Sequence, residues 1–268
     1  MLVQSPVAGD ARVLREAASL AAAGHEVHVL GRDVPDHVDA PPGVTVGSVS
    51  RARGLRPGQR TDQRTDQPVP APARVARWLL LPEHRDLVER RWRRDTRLQA
   101  LRAGPYDAVH AHDFNTLELG AELAAAWGVP YIYDTHEYWP GRPRVGRPAP
   151  LRAIRDRRRE RKLGAGAATI LTVGDGVARA LREDYGWDHV RVVRNTFDIR
   201  GDFHLSDTPK AAVYAGRLGP YRELEVIAAA TVAISLPVVL IGPADQTWLA
   251  GFHPGKAEVP ALRAAGRG

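Results

Sequence analysis

Cysteine is absent from this chain, methionine occurs once, and only three of the 38 basic residues are lysine (Lys162, Lys210 and Lys256). Without cysteine there can be no disulfides and no thiolate metal sites. The shortage of lysine beside abundant arginine and alanine reads as a GC-rich coding bias rather than as arginine chemistry. Long apolar runs are also missing. No stretch approaches the ~18 apolar residues of a membrane span. The start, Met1-Leu2-Val3-Gln4-Ser5-Pro6, has neither a basic segment nor a long apolar one, so it does not read as a secretion signal. A cytosolic protein is the simplest expectation.

What is present suffices for a folded protein. The 268 residues are 44% hydrophobic, enough for one large or two ordinary domains with a sizeable core. A net charge of +7 and a pI near 10.1 favour anionic partners: nucleotide phosphates, anionic lipid or nucleic acid.

The opening reads as a strand (residues 2–4), a turn from Pro6 to Gly9 and a helix capped by Asp10. In that helix Val13, Ala17, Leu20 and Ala21 recur at helical spacing before Gly24 stops it. Strands are expected at 27–30 and 44–49. Residues 50–72, with a tandem Arg-Thr-Asp-Gln repeat, are too polar to offset their ordering entropy and read as a loop. A helical stretch over 73–103 is interrupted at Pro82. Then come a strand at 108–111, a helix at 116–126, a strand at 131–133 and a basic helix at 151–163. A strand at 169–173, a helix at 176–185 and a strand at 190–193 follow.

Mostly apolar strands alternating with helices argue a doubly wound parallel sheet, a Rossmann-like domain over 1–195. A polar linker (196–209) leads to a second strand at 212–215, a helix at 222–233 and a strand at 238–241. That is one βαβ unit within 210–268, an incomplete second Rossmann-like domain, and residues after 242 are expected to be poorly ordered.

In such sheets ligands bind beyond the carboxyl ends of the strands. Three of these ends carry chemistry. Val109-His110-Ala111-His112-Asp113 and Tyr133-Asp134-Thr135-His136-Glu137 each run from a strand into imidazole and carboxylate groups. His112 and Asp113 are expected to project into the crevice mouth, with Glu137 on the same sheet edge. Tyr214-Ala215-Gly216-Arg217, followed by Arg222, is a glycine turn with guanidinium groups suited to an anion. No Gly-Lys-Ser/Thr follows it, so it is not a P-loop.

These segments, in this order, resemble the family 4 glycosyltransferases. Gly9-Asp10-Ala11-Arg12-Val13 through Gly24-His25-Glu26-Val27 is similar to the family's first βα unit. The two His-bearing strand ends resemble its acceptor side. Thr172-Val173-Gly174-Asp175-Gly176-Val177 with Val192-Val193-Arg194-Asn195 resembles its late first domain. Tyr214-Ala215-Gly216-Arg217 with Arg222, and Val239-Leu240-Ile241-Gly242-Pro243, resemble the start of its donor domain.

The resemblance implies a GT-B fold and transfer of a sugar from a nucleoside diphosphate sugar to an acceptor hydroxyl, with retention. It places His112 as the catalytic imidazole, with Asp113, His136 and Glu137 on the acceptor. Gly9, Gly216, Arg217 and Arg222 fall on the donor diphosphate. It implies no metal and no cofactor beyond the nucleotide sugar, a sugar or lipid-linked acceptor, and no nucleic acid. Departures stand beside it. Arg222 occupies a position that is lysine in the family, and Glu223 one that is glycine. A pair of glutamates eight positions apart and the closing helix are missing.

Two other readings remain. His110, His112, Asp113, Asp134 and His136 have some character of a metal-dependent hydrolase, although 110 and 112 share a strand face while 113 lies beyond it. The short second domain also fits a non-catalytic remnant or partner-binding protein. Finally, eight positive residues between Arg147 and Leu163 stand against Asp156 and Glu160, a net of +6. This fits either a solvated face or peripheral contact with the anionic inner face of a membrane.

Overall fold

A computed structural model describes residues 1–49, 84–142, 150–196, 201, 208–220 and 222–260. The expected loop at 50–72, the first part of the helix at 73–103, Arg147 and most of the linker lie outside the described residues. The chain divides into two compact units, Met1–Phe197 and Asp198–Gly268.

The first unit is built on β1 (Val27–Arg32), β2 (Val44–Val49), β3 (Val109–His112), β4 (Tyr131–Thr135), β5 (Thr169–Thr172) and β6 (Val190–Val192). Every pairing, β1 with β2 and β3 through β6 in sequence, is parallel. Leu2 joins the two groups by parallel bridges to Leu30 and Ala111. Its N–H donates to the His110 carbonyl (2.7 Å), and its own carbonyl accepts from His112 N–H (3.0 Å). The order across the sheet is therefore β2, β1, the Leu2 segment, β3, β4, β5, β6. The winding reverses between the Leu2 segment and β3. This topological switch point is where open α/β sheets form their ligand crevice.

Among the described residues five helices flank the sheet: α1 (Ala11–Ala22), α2 (His84–Ala103), α3 (Asp113–Trp127), α4 (Pro150–Ala165) and α5 (Asp175–Tyr185). Asp10 caps α1 by accepting from Val13 N–H, and is itself held by the Ser5 hydroxyl at 3.0 Å. Val27 and Val29 pack with Val13 and Ala17 of α1, while Leu30 and Val109 pack with Ala100 of α2 and Leu119 and Leu123 of α3. Helices thus lie on both faces. Each fully buried Val or Leu contributes roughly 1.5–3 kcal/mol.

A Cβ on Gly120 would stand 2.8 Å from that of Ala111, so the glycine lets α3 lie directly on β3. The expected boundaries shift here with consequence. β3 includes His112 rather than ending before it, and α3 begins at Asp113 without any loop.

The second unit pairs β7 (Ala212–Ala215) in parallel with β8 (Val238–Ile241), flanked by α6 (Leu224–Ala230) and α7 (Gln246–Ala250). Its fold continues past Gly242, which corrects the expectation of poor order for residues 243–260. Asp245 caps α7 by accepting from Trp248 N–H at 3.1 Å. Glu258 extends the sheet through a parallel bridge to Val239, and Phe252, Ala257 and Val259 join a core with Leu218, Leu224, Leu240 and Leu249. These apolar residues are too scattered along the chain to show strand periodicity. The helix expected over 222–233 is only seven residues long.

Candidate functional site

Strand alternation puts His110 and His112 on one face of β3, and register pairs His112 with Asp134 on β4. The two rings stack with centroids 4.3 Å apart and planes 12° apart. α1 covers this face. On its buried Val13–Ala17 stripe, Glu16 reaches down to 3.8 Å from His112 Nε2 and 4.0 Å from His110 Nε2. Asp134 Oδ2 lies 3.3 Å from His112 Nδ1 and 3.4 Å from His110 Nε2. His136, just beyond β4, sits between two carboxylates: Nδ1 is 3.0 Å from Asp113 and Nε2 is 3.3 Å from Asp134.

Burial dominates the electrostatics. It holds the His112 imidazole down at about 4, with the adjacent His110 adding to the effect. Burial and then the charge of Asp134 push the Glu16 carboxyl up to about 8. Burial opposes charge on His136 too, but Asp113 and Asp134 outweigh it and raise the ring to about 9. Against burial, the three surrounding imidazoles hold Asp134 far below the usual carboxylate range, and His136 lowers Asp113 from its ordinary value.

These contacts fall within ion-pair reach, yet most do not close as hydrogen bonds. Glu16 Oε2, His110 Nε2, both ring nitrogens of His112 and of His136, and Asp134 Oδ2 are all buried without a hydrogen-bond partner among the described residues. A buried polar atom left so costs about 1–3 kcal/mol.

His112 does not project into the crevice mouth. Its side chain is 0% exposed, because β3 continues through it and α1 lies over its face. The accessible carboxylates are those of Asp113 (36% exposed) and Glu137 (46%). Asp113 holds a left-handed backbone (φ +63°) at the loopless passage from β3 to α3. Glu137 pairs with Arg142 at 3.2 Å, and Arg142 in turn lies over the Trp139 ring. His136 is largely buried. Gly9 stands in an exposed turn at the end of the Leu2 segment, with open space where a Cβ would be.

In the second unit Gly216, Arg217 and Arg222 follow the carboxyl end of β7. Both arginines are exposed, and neither makes an ion pair among the described residues. Tyr214 donates its hydroxyl proton to the Arg217 carbonyl at 3.1 Å, which pins the turn.

Sequence reasoning thus brought His112, Asp113, His136 and Glu137 to one sheet edge. It missed Glu16, whose only signal was its place at i+3 from Val13 on the helical stripe that becomes buried. His110 and Asp134 had been considered only for metal chemistry.

Residues 9–196 match the glycosyl transferase 4-like domain. No protein of curated function matches the chain in sequence. Among solved structures, sucrose-phosphate synthase from Thermosynechococcus elongatus superposes with a TM-score of 0.64 at 14% identity, over 92% of this chain and 62% of its own. HepE from Anabaena in complex with UDP gives 0.57 at 13% identity, over 96% and 67%, and in complex with UDP-glucose 0.56 at 14% over the same shares. The chain therefore spans about two thirds or less of the length of these relatives in fold. With more than half its residues matched by one family, this chain belongs to the glycosyl transferase 4-like family, on an α/β framework of the GT-B class.

Proposed function

We propose that the protein transfers a sugar, with retention, from a nucleoside diphosphate sugar to an acceptor hydroxyl. The observation carrying this is the cluster of imidazoles and carboxylates at the topological switch point of the family-matched unit. In this reading Asp113 and Glu137, the accessible carboxylates, meet the acceptor, and His136 orients Asp113. The buried His112 acts one layer beneath as a positioning residue. Charge developing on the leaving diphosphate is met by Arg217, Arg222 and the Gly216 turn, so no metal is needed between the phosphates. That HepE binds UDP and UDP-glucose makes uridine donors the first to try.

The test is release of nucleoside diphosphate from a panel of UDP- and GDP-sugars with sugar and lipid-linked acceptors. Asp113→Asn should abolish transfer while leaving donor binding intact. Binding and turnover both absent across the panel would sink the proposal. Donor binding without any turnover would instead favour the non-catalytic reading, which the partial coverage of the relatives supports.

The acceptor side is proposed to meet the anionic inner face of a membrane through α4, in a cytoplasmic protein. No described helix is long and apolar enough to cross a membrane. Ion pairs consume much of the basic charge of α4. Arg152 and Arg155 meet Asp156, Arg157 meets Asp184, and Arg159 meets Glu118. Arg158, Arg161 and Lys162 make no ion pair among the described residues and are offered to lipid, each contributing about 1 kcal/mol near the surface. Vesicle co-sedimentation at low salt decides this, and equal binding to neutral and anionic vesicles removes it.

A further inference from the structure

Four buried donor atoms converge beneath α1. Glu16 Oε2, His110 Nε2, Asp134 Oδ2 and a ring nitrogen of His112 all lie within 4.8 Å of one another, although they come from three different elements. None of the four has a hydrogen-bond partner among the described residues. The His112 and Asp134 side chains are 0% and 4% exposed, so water cannot be relied on to satisfy them.

The spacing is compatible with a shared ion. His110 Nε2 stands 3.4 Å from Asp134 Oδ2 and 4.0 Å from Glu16 Oε2, and one nitrogen of His112 completes a set whose atoms all lie within 4.8 Å of one another. Four ligands arranged tetrahedrally at about 2.0–2.1 Å from a zinc-sized ion stand about 3.3 Å apart. The His110–Asp134 pair already has that spacing, and the wider separations, up to 4.8 Å, close by side-chain rotation. Three of the four ligands come from the rigid sheet, with His112 in register with Asp134, and the stacked His110 and His112 rings must turn about their side-chain bonds so that each ring plane contains the ion. Glu16 comes from the covering helix α1.

We propose that Glu16, His110, His112 and Asp134 form a binding site for one divalent transition-metal ion of the zinc class, held between α1 and the carboxyl ends of β3 and β4. Two imidazole nitrogens with two carboxylate oxygens suit zinc, manganese or iron(II) better than magnesium, which prefers an octahedron of oxygen ligands. His110 and His112 supply one ligand each from alternate positions of a strand. The carboxylates come from the neighbouring strand and the helix above, which is why sequence order conceals the set. The ion would supply in one group what four orphaned atoms need, and would tie α1 to the sheet at the switch point. This site is distinct from the donor diphosphate. It stands or falls without any assumption about sugar transfer.

The test uses the full chain, stripped with chelator and assayed without sugar nucleotide. Titration calorimetry with zinc chloride should show one tight equivalent, and magnesium chloride should bind at least about 100-fold more weakly. Glu16→Gln and His110→Gln should each weaken zinc binding by about tenfold or more. His37→Gln, which alters an exposed His–carboxylate pair elsewhere, should leave the tight equivalent unchanged. Cobalt(II) substitution provides a second measurement on the unaltered chain, and a tetrahedral visible absorption band is expected. The absence of a saturable equivalent, tight binding that survives both substitutions, or a cobalt complex without that band would each overturn the proposal.

Discussion

Glu223 adopts a left-handed backbone (φ +52°) at the residue preceding α6, where glycine would carry no steric penalty. This is the position at which the resembled family has glycine, so the departure noted in the sequence has a conformational cost. Glu223→Gly should stabilise the second unit by about 0.5–1 kcal/mol, the relief of strain being partly offset by the freer unfolded chain. Urea denaturation of both proteins measures it, and an unchanged or lower midpoint would show the strain to be absent. Gly242 presents the opposite case. A Cβ there would meet the Gly216 carbonyl oxygen at 1.9 Å, at a backbone φ of +148°. Gly242→Ala should therefore destabilise the unit by about 1–3 kcal/mol, with loss of donor binding following from the displaced Gly216 turn. A melting temperature equal to wild type would contradict this.

At the scale of elements, α4 shows why a charge run is a poor guide to a surface. Periodicity identified it as a basic helix, but its two acidic residues turn inward. Asp156 is 3% exposed and Glu160 is 0% exposed. Glu160 accepts hydrogen bonds from Tyr133 (2.7 Å) and Tyr185 (2.6 Å), joining α4 to β4 and α5. Burial raises its carboxyl above the ordinary value of 4.5, although the two tyrosine hydroxyls pull the other way. Because the folded state holds the proton more tightly than the unfolded chain, the stabilisation is complete below about 4.5 and is lost as pH rises through the raised value. The stability difference between wild type and Glu160→Gln should thus shift against wild type from about pH 4.5 upward. A difference flat with pH across that range would show that Glu160 titrates normally. Elsewhere the elements were legible where their signals were local. The Asp10 cap, the Val13–Ala17 stripe and the Gly24 stop mark the boundaries of α1. β3 was misjudged by one residue. Nothing local distinguishes His112 as the last strand residue from His112 as the first of a loop, and that single step decides whether its ring meets solvent.

For the whole molecule, donor affinity is the quantity most exposed to the departures from the family. The second unit keeps Arg217 and Arg222 but has no pair of glutamates eight positions apart. Its glutamates are Glu223, Glu225 and Glu258, and Glu225 already accepts a hydrogen bond from Trp248 Nε1 at 3.0 Å. Under the proposed function, calorimetry with UDP- and GDP-sugars should show binding weaker than micromolar, with transfer slow but measurable, since positioning supplies much of the rate. Micromolar affinity would show that other residues complete the donor site.

The sequence by itself determined the alternation of strands and helices, the parallel sheet it demands, the strand ends that carry His112, Asp113, His136 and Glu137, and the ordered likeness to one family. These follow from local periodicity, capping and the rule that parallel strands need crossovers. Tertiary structure alone decided that Leu2 joins two groups of strands into one sheet and that Glu258 extends the second. It also decided that Glu16 meets His110, His112 and Asp134 beneath α1. Each of those contacts links residues far apart in the chain, and their burial depends on which helix covers which face. That is a property of packing, with no trace in the spacing of neighbouring residues.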